Sequence, residues 1–559
     1  MEYVKKWWQD EVIYQIYPRS FKDSNDDGIG DILGIIEKLD YLNDLGITSI
    51  WICPIFQSPM ADNGYDISDY FAISEEFGTM EDVKELIAEA KKRGIKIILD
   101  LVVNHTSDEH AWFQEALHNP DSKYRDYYIF KSGTEAPNNW RSIFGGSVWE
   151  KLPNEDAFYY HTFHKKQPDL NWENPALREE IYQMVNTWLE IGIAGFRIDA
   201  ITFIKKNLTF TSQPADGVDG LVKCTKASRN QPGIEVFLAE LNERCFKKYD
   251  CVTIAEAPGV PYDQLDSFIG PNGFFSMIFD FKHADLDIAS GSEWFKRVDW
   301  TPQELFRILE DSQLAIQQSG WGAPFIENHD QPRATSKYLL EHATTPEAVK
   351  AMGLMYFFLR GTPFIYQGQE LGLINFKRSS IEEFNDISSI DQYYRGMDEG
   401  LTQAEALEVI NLRSRDNART PMPWTDDVFV GFSNHEPCLP ITERSSVRQV
   451  AYQISARDSV LAFYKDMIAL KKDERYSTLT HGEIHFPERG EEAVFLYRRS
   501  SETDSYLIVV NLSNEATTII LDKQPAKILL SNQDINLDQY QNHRFQLPAF
   551  GAIVIEEEN

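Results

Sequence analysis

Short apolar runs rich in Ile and Val alternate along most of the chain with longer segments in which apolar positions recur every three or four residues, the pattern of βα units around a parallel sheet. Eight such runs occupy 12–17, 47–53, 95–103, 195–199, 252–256, 274–281, 323–328 and 363–367. Between them lie helix segments such as 80–93, where Val83, Leu86, Ile87 and Ala90 share a face, and 175–191, where Asn174 followed by Pro175 marks a helix start. Eight strands with helical crossovers predict a closed (β/α)8 barrel, an α/β fold of the TIM type.

The alternation breaks at two places. From 105 to 171 the chain is rich in Trp, Tyr, Asn, Gly and Pro, which predicts a folded excursion inserted after the third strand. After about residue 480 the texture changes to short alternating strands at 493–498, 506–511, 517–521 and 552–555, a C-terminal antiparallel β-sandwich. The expected organisation is barrel over 1–104 and 172–480, inserted domain over 105–171, and β domain over 481–559. Residues 556–558, all Glu, read as a solvated tail.

Composition narrows the partners. With 54 basic and 87 acidic residues the net charge is −33, which repels nucleic acid and anionic lipid alike. The N-terminal stretch Met1 to Trp8 lacks the apolar run of a signal peptide, and no stretch of about 18 apolar residues occurs elsewhere. Five cysteines (Cys53, Cys224, Cys245, Cys251, Cys438) form no CxxC pair, so neither a disulfide framework nor a zinc site is expected. A cytoplasmic protein acting on a small molecule fits these features; they set no oligomeric state, and a monomer satisfies them. Aromatic residues at 13%, with twelve Trp, suit sugar-stacking walls as well as a core.

In a parallel barrel, functional side chains gather at the C-terminal ends of the strands, where the following loops meet around one cavity. Here the third run leads into Asn104 and His105, the fourth ends Arg197-Ile198-Asp199, the fifth ends at Glu256, and the seventh leads into Asn328-His329-Asp330. One ion pair at a strand end would be structural; so many charged groups facing one cavity are costly unless used. Neighbouring strands lie about 4.8 Å apart, so Asp199 and Glu256 can approach to about 5–5.5 Å, the spacing of a retaining glycosidase. Arg197, on the same strand face as Asp199, can hold it ionised, which favours Asp199 as nucleophile. Glu256 follows Ile254 and Ala255, and its desolvation should raise its pKa toward that of a general acid. Asp330 can clamp sugar hydroxyls, with His105 and His329 donating hydrogen bonds to the sugar.

These segments resemble the signature regions of the α-amylase superfamily, glycoside hydrolase family 13. The match is ordered: Gln15-Ile16-Tyr17-Pro18-Arg19, Asp62-Asn63-Gly64-Tyr65-Asp66, Asn104-His105, Gln167-Pro168-Asp169, Gly195 to Asp199, Glu256 and Asn328-His329-Asp330-Gln331-Pro332. Ser414-Arg415-Asp416-Asn417-Ala418-Arg419-Thr420-Pro421 resembles the oligo-1,6-glucosidase and α-glucosidase branch. The resemblance implies Asp199 as nucleophile, Glu256 as acid/base and Asp330 as transition-state stabiliser. It further implies a blind pocket for one terminal glucose, closed by Asp62 with Arg415 or, alternatively, Arg419. Tyr65 would stack on that sugar, and Phe163 and Gln167 would line its subsite. Ala200, directly after the nucleophile, stands where relatives selective for α-1,6 bonds carry Val, which leans the expectation toward maltose-type or sucrose substrates over isomaltose.

The segment from Asp23 to Asp31 places oxygen side chains at alternate positions before a glycine turn, the beginning of a metal loop or an acidic turn that caps the next helix. Relatives bind calcium or magnesium there, so a structural ion on Asp23, Asn25, Asp27, Asp31 and the Ile29 carbonyl is expected. Three rival readings remain: a sucrose isomerase or transglucosidase capturing the same intermediate, a trehalose-6-phosphate hydrolase gripping phosphate through Lys205, Lys206 and Lys223, and a non-catalytic scaffold.

Overall fold

The computed structural model describes residues 5–289, 292–339, 344–441, 444–487 and 493–558; residues 1–4 of the N-terminal stretch lie outside them. Seven parallel strands form one curled sheet in the spatial order Met277–Ile278, Val252–Ala255, Gly195–Asp199, Lys96–Val102, Ser49–Ile52, Ile13–Ile16 and Phe364–Tyr366. Every residue of the Gly195–Asp199 strand is buried, as expected for a sheet wrapped by helices on its outer face.

The run at 323–328 does not form the eighth ladder strand. Pro324 has no N–H to give a ladder. Instead this stretch spans the gap by single bonds: Ala323 N donates to the Ile278 carbonyl at 3.1 Å, and Phe364 N to the Pro324 carbonyl at 2.9 Å. The barrel closes through that segment, and the long run at 274–281 contracts to Met277–Ile278.

Local signals set the crossover helices. Thr79 and Asp82 form a capping box at the start of Met80–Lys92, and Val83, Leu86 and Ala90 are buried. Asn174 accepts from the amides of Ala176 and Leu177 to open Pro175–Ile191, which ends at Gly192 with φ 111°, a left-handed position suited to glycine.

The inserted region contains the helix Ala111–His118 and a three-stranded sheet of Phe130–Ser132, Ala157–Tyr160 and Trp149–Lys151. Its aromatic cluster of Trp140, Trp149, Phe158 and Tyr160 is completed by Phe210, Val222 and Cys224 from the loop after the Gly195–Asp199 strand. Trp140–Arg141 pairs with Val222–Lys223. That loop is therefore packed onto the inserted lobe. Beyond the barrel, a five-stranded antiparallel sheet faces a three-stranded one. Besides the four expected strands it contains Glu483–His485, Pro525–Ser531, Tyr540–Gln541 and Arg544–Leu547.

Candidate active site

The strand register puts the proposed acid pair side by side. Arg197 is opposite Ile254 and Ile198 opposite Ala255, so Asp199 and Glu256 are the next neighbours across the two strands. Glu256 N donates to the Ile198 carbonyl at 3.0 Å, which continues the ladder to the residue that matters. Arg197, fully buried, joins both carboxylates: Nη1 lies 2.8 Å from Asp199 Oδ1, and Nη2 lies 2.8 Å from Glu256 Oε2. Nη1 also reaches Asp100 Oδ1 at 2.8 Å. Asp100 is completely buried and accepts further bonds from Trp51 Nε1 and the Tyr65 hydroxyl. Ala200, in the left-handed region at φ 42°, turns its amide onto Glu256 Oε2 at 2.9 Å.

Burial pushes Glu256 up to about 8; Arg197 opposes it, while Asp199 and Asp330 add to it. Burial also raises Asp199, to about 7, with Arg197 lowering it and Asp100 and Asp330 raising it. Both groups are thus lifted, and Glu256 lies higher. Two buried carboxyls lifted together on one guanidinium are suited to carry one proton between them, as an acid and nucleophile pair requires. For Asp330 burial again acts upward, but His329, Arg415 and Arg419 outweigh it and hold this carboxyl well below the usual range.

Asp62 and Arg415 meet at the wall of the cavity, with Arg415 Nη2 3.2 Å from Asp62 Oδ1. Gln167 braces Asp62 from behind at 3.1 Å. Arg415 also reaches Asp330 at 3.2 Å and is clamped through Nε and Nη2 by the buried Asp386 at 2.8 and 2.7 Å. Arg419 bonds to Asp330 Oδ1 at 2.9 Å and to the His329 carbonyl, so of the two arginines it is Arg415 that pairs with Asp62.

The cavity so formed has a volume of about 350 Å3, within the range of small-molecule sites. Asp62, Tyr65, His105, Phe163, Asp199, Ala200, Glu256, Asp330 and Arg415 line it. Arg197, Gln167 and His329 stand behind this wall. Tyr65 presents its ring, and its hydroxyl is held by Asp100 and by His329 Nε2 at 2.6 Å.

The histidines differ from the expected direct donors. Gln15 Nε2 lies 2.8 Å from His329 Nδ1, so the ring proton sits on Nε2, between the Tyr65 hydroxyl and Asp330. His105 Nε2 lies 3.0 Å from the Tyr65 carbonyl. Burial lowers His105 to about 4 and His329 to about 3, so both rings are neutral and each has one proton, already engaged by protein. Their geometry is that of positioning groups.

The three lysines considered as a phosphate grip do not converge. Lys205 pairs with Glu173, Lys206 is buried on Asp169 at 2.8 Å, and Lys223 lies at the mouth 3.3 Å from Glu293. Sequence reading missed Asp100, Asp386, Phe144 and the mouth residues Arg229, Asp285, Glu293, Trp294 and Gln392. Asp100 alone carried a signal, an acidic side chain inside a buried apolar strand.

In the acidic loop, Asp23 accepts from the amides of Asn25, Asp26 and Gly28, and Asp27 from Ile29. Asp31 accepts from Ser24 and caps the next helix through Gly34 N at 2.6 Å. Among the described residues no three Asp, Glu, His or Cys side chains are grouped as metal ligands. Carboxylates engaged in this way by amides keep further lone pairs with which they could ligate an ion. Among the described residues, no helix is long and apolar enough to cross a membrane.

A family model described as alpha amylase, catalytic domain, matches residues 15–482. The chain is 40% identical over 549 residues to the oligo-1,6-glucosidase of Bacillus cereus, covering 96% of this chain and 97% of that one. It is 44% identical over 515 residues to probable oligo-1,6-glucosidase 3 of Bacillus subtilis, covering 91% of each. Among solved structures, the trehalose-6-phosphate hydrolase of Bacillus licheniformis superposes with a TM-score of 0.90 at 37% identity, over 99% of this chain and 100% of the other.

Proposed function

Because the chain belongs to the α-amylase family of glycoside hydrolases, family 13, and is a glycoside hydrolase, we propose that it is a retaining, exo-acting α-glucosidase. It removes a terminal non-reducing α-linked glucose from short oligosaccharides. The observation that carries this reading is the single buried guanidinium of Arg197 holding Asp199 and Glu256 at the floor of a pocket closed by Asp62 and Arg415. In it, Asp199 attacks the anomeric carbon while Glu256 protonates the departing oxygen; Glu256 then removes a proton from the water that releases glucose. Asp330, kept ionised by Arg415 and Arg419, stabilises the oxocarbenium character that develops between these steps.

For the linkage, Ala200 supports maltose-type bonds or sucrose. It lines the pocket in a left-handed conformation, which disfavours a β-branched side chain, and its methyl leaves space beside the leaving group. The oligo-1,6-glucosidase relatives favour a second reading, cleavage of isomaltose-type bonds. Initial rates of glucose release from maltose, isomaltose, sucrose, trehalose 6-phosphate and a longer dextrin separate the two. Preference for maltose or sucrose, shifted toward isomaltose by Ala200→Val, is expected; preference for isomaltose in the wild type overturns the linkage reading and keeps the enzyme class.

Two further readings rest on sequence. We place the reaction in the cytoplasm, in keeping with five free cysteines, and we retain a structural calcium or magnesium ion at the Asp23 to Asp31 loop, supported by its alternating oxygen side chains.

A further inference from the structure

The pocket mouth contains one guanidinium that, among the described residues, no carboxylate meets at ion-pair distance. Every other ionic side chain lining the cavity is paired: Lys223 with Glu293 at 3.3 Å, Glu293 also with Arg395 at 3.1 Å, and Asp285 with Arg413 at 3.0 Å. Arg229 lines the same cavity, is half-buried, and among the described residues has neither an ion pair nor a side-chain hydrogen bond; Asp285, already paired with Arg413, acts on it only from beyond ion-pair distance. Withdrawing a guanidinium from water without a carboxylate partner is costly. A ligand that supplied the partner would recover that cost.

Its position is fixed from both sides. Arg229 N donates to the Thr225 carbonyl at 3.2 Å, and Asn230 N to the Thr202 carbonyl at 2.8 Å. The Thr202 hydroxyl in turn bonds the Pro258 carbonyl at 2.9 Å. The guanidinium lies against the backbone of Gly259: a Cβ there would stand 2.5 Å from Arg229 Nε and 3.1 Å from Cζ. Gly259 is three residues past Glu256, and Pro258 between them lines the cavity. Arg229 is therefore on the side where Glu256 meets the departing oxygen, away from the Asp62 and Arg415 end.

We propose that Arg229 binds a carboxylate on the leaving group, so that the enzyme takes α-glucosides of hydroxy acids in addition to neutral sugars. This inference rests on the α-glucosidase reading. One guanidinium offers one two-pronged fork, which matches one carboxylate. Asp285 and Glu293 line the same mouth and repel a phosphate dianion more than a carboxylate monoanion.

The test compares kcat/KM for 2-O-α-glucosylglycerate with that for its neutral isostere, the glyceramide, and for trehalose 6-phosphate with that for trehalose. The wild type is expected to favour the acid over the amide by on the order of tenfold to a hundredfold, as for hydrogen bonds to charged groups. Arg229→Met should bring that ratio close to one, and Arg229→Lys should keep part of it. An acid-to-amide ratio near one in a wild type that cleaves maltose or sucrose overturns the Arg229 proposal alone, as does a ratio that survives Arg229→Met. A larger preference for the phosphorylated sugar overturns the carboxylate assignment. A wild type that cleaves no α-glucoside at all overturns this proposal together with the function on which it rests.

Discussion

The two ends of the pocket are built differently. At the closed end, Asp199 ends a barrel strand, Asp330 follows the 323–328 segment that closes the barrel, Asp62 lies in the turn after Phe56–Gln57 and Arg415 is on the short segment it shares with Arg419, and each charge meets an opposite one within about 3.2 Å. At the mouth, Lys223, Arg229, Asp285 and Glu293 come from long connections that pack partly on the inserted lobe, and among the described residues Arg229 has no ion pair. A group buried against rigid strands can be held to the small tolerance that bond-making requires. A mouth made of loops can change what it accepts without disturbing that chemistry. On the proposed reading, the closed end sets the reaction on a glucosyl unit, and the mouth sets what departs from it.

The largest expected effect breaks the closed end. Asp199→Asn should lower kcat on maltose by on the order of 10^4-fold and abolish the trapped glycosyl-enzyme; hydrolysis at the wild-type rate would remove Asp199 from the mechanism.

Glu256→Gln comes next, with a loss of about 10^2 to 10^4-fold on maltose that shrinks on an activated aryl glucoside. Equal losses on both would refute the acid role. In the wild type, kcat/KM should fall as pH rises through about 8, because the acid must carry its proton, and should fall below about 7 as the raised Asp199 takes one up.

Glu293→Gln probes the mouth. Burial acts upward on Glu293, but Lys223 and Arg395 hold it at about 2 against an ordinary 4.5. A carboxyl lowered on folding stabilises the folded state above its unfolded pKa, and that contribution disappears as pH falls toward about 2. The variant should therefore be less stable than wild type at pH 7, by about 1–3 kcal/mol, and closer to it at pH 3. Its kcat should fall less than tenfold if mouth and closed end are separable; a larger fall would join them into one unit.

The smallest effect concerns neither end. If the Asp23 to Asp31 loop holds an ion, EDTA should lower Tm by a few degrees, restored by calcium or magnesium, with kcat per folded molecule unchanged. A Tm insensitive to EDTA leaves the loop as the self-capped turn its hydrogen bonds describe.

The Asp199 and Glu256 pair was legible because a parallel barrel forces strand ends together, so an acidic residue after an apolar run has a known destination. The same rule left Asp100 unassigned. Its strand position was visible, yet its bond to Arg197 depends on how three neighbouring strands align. The eighth strand was over-read, since apolar pattern alone does not register that Pro324 cannot donate.

What the sequence determined by itself was the periodic alternation of strands and helices, the order of the acidic residues along the barrel, and the Asp62 and Arg415 pair through its motif. Only the tertiary structure decided that Asp386 clamps Arg415, that His105 and His329 have their protons engaged by protein, and that Arg229 lies against Gly259 with no ion pair among the described residues. The physical reason is distance along the chain: periodicity and strand-end rules act over a few residues, whereas these contacts join loops 29 to 264 positions apart, where nothing in the local pattern records the meeting.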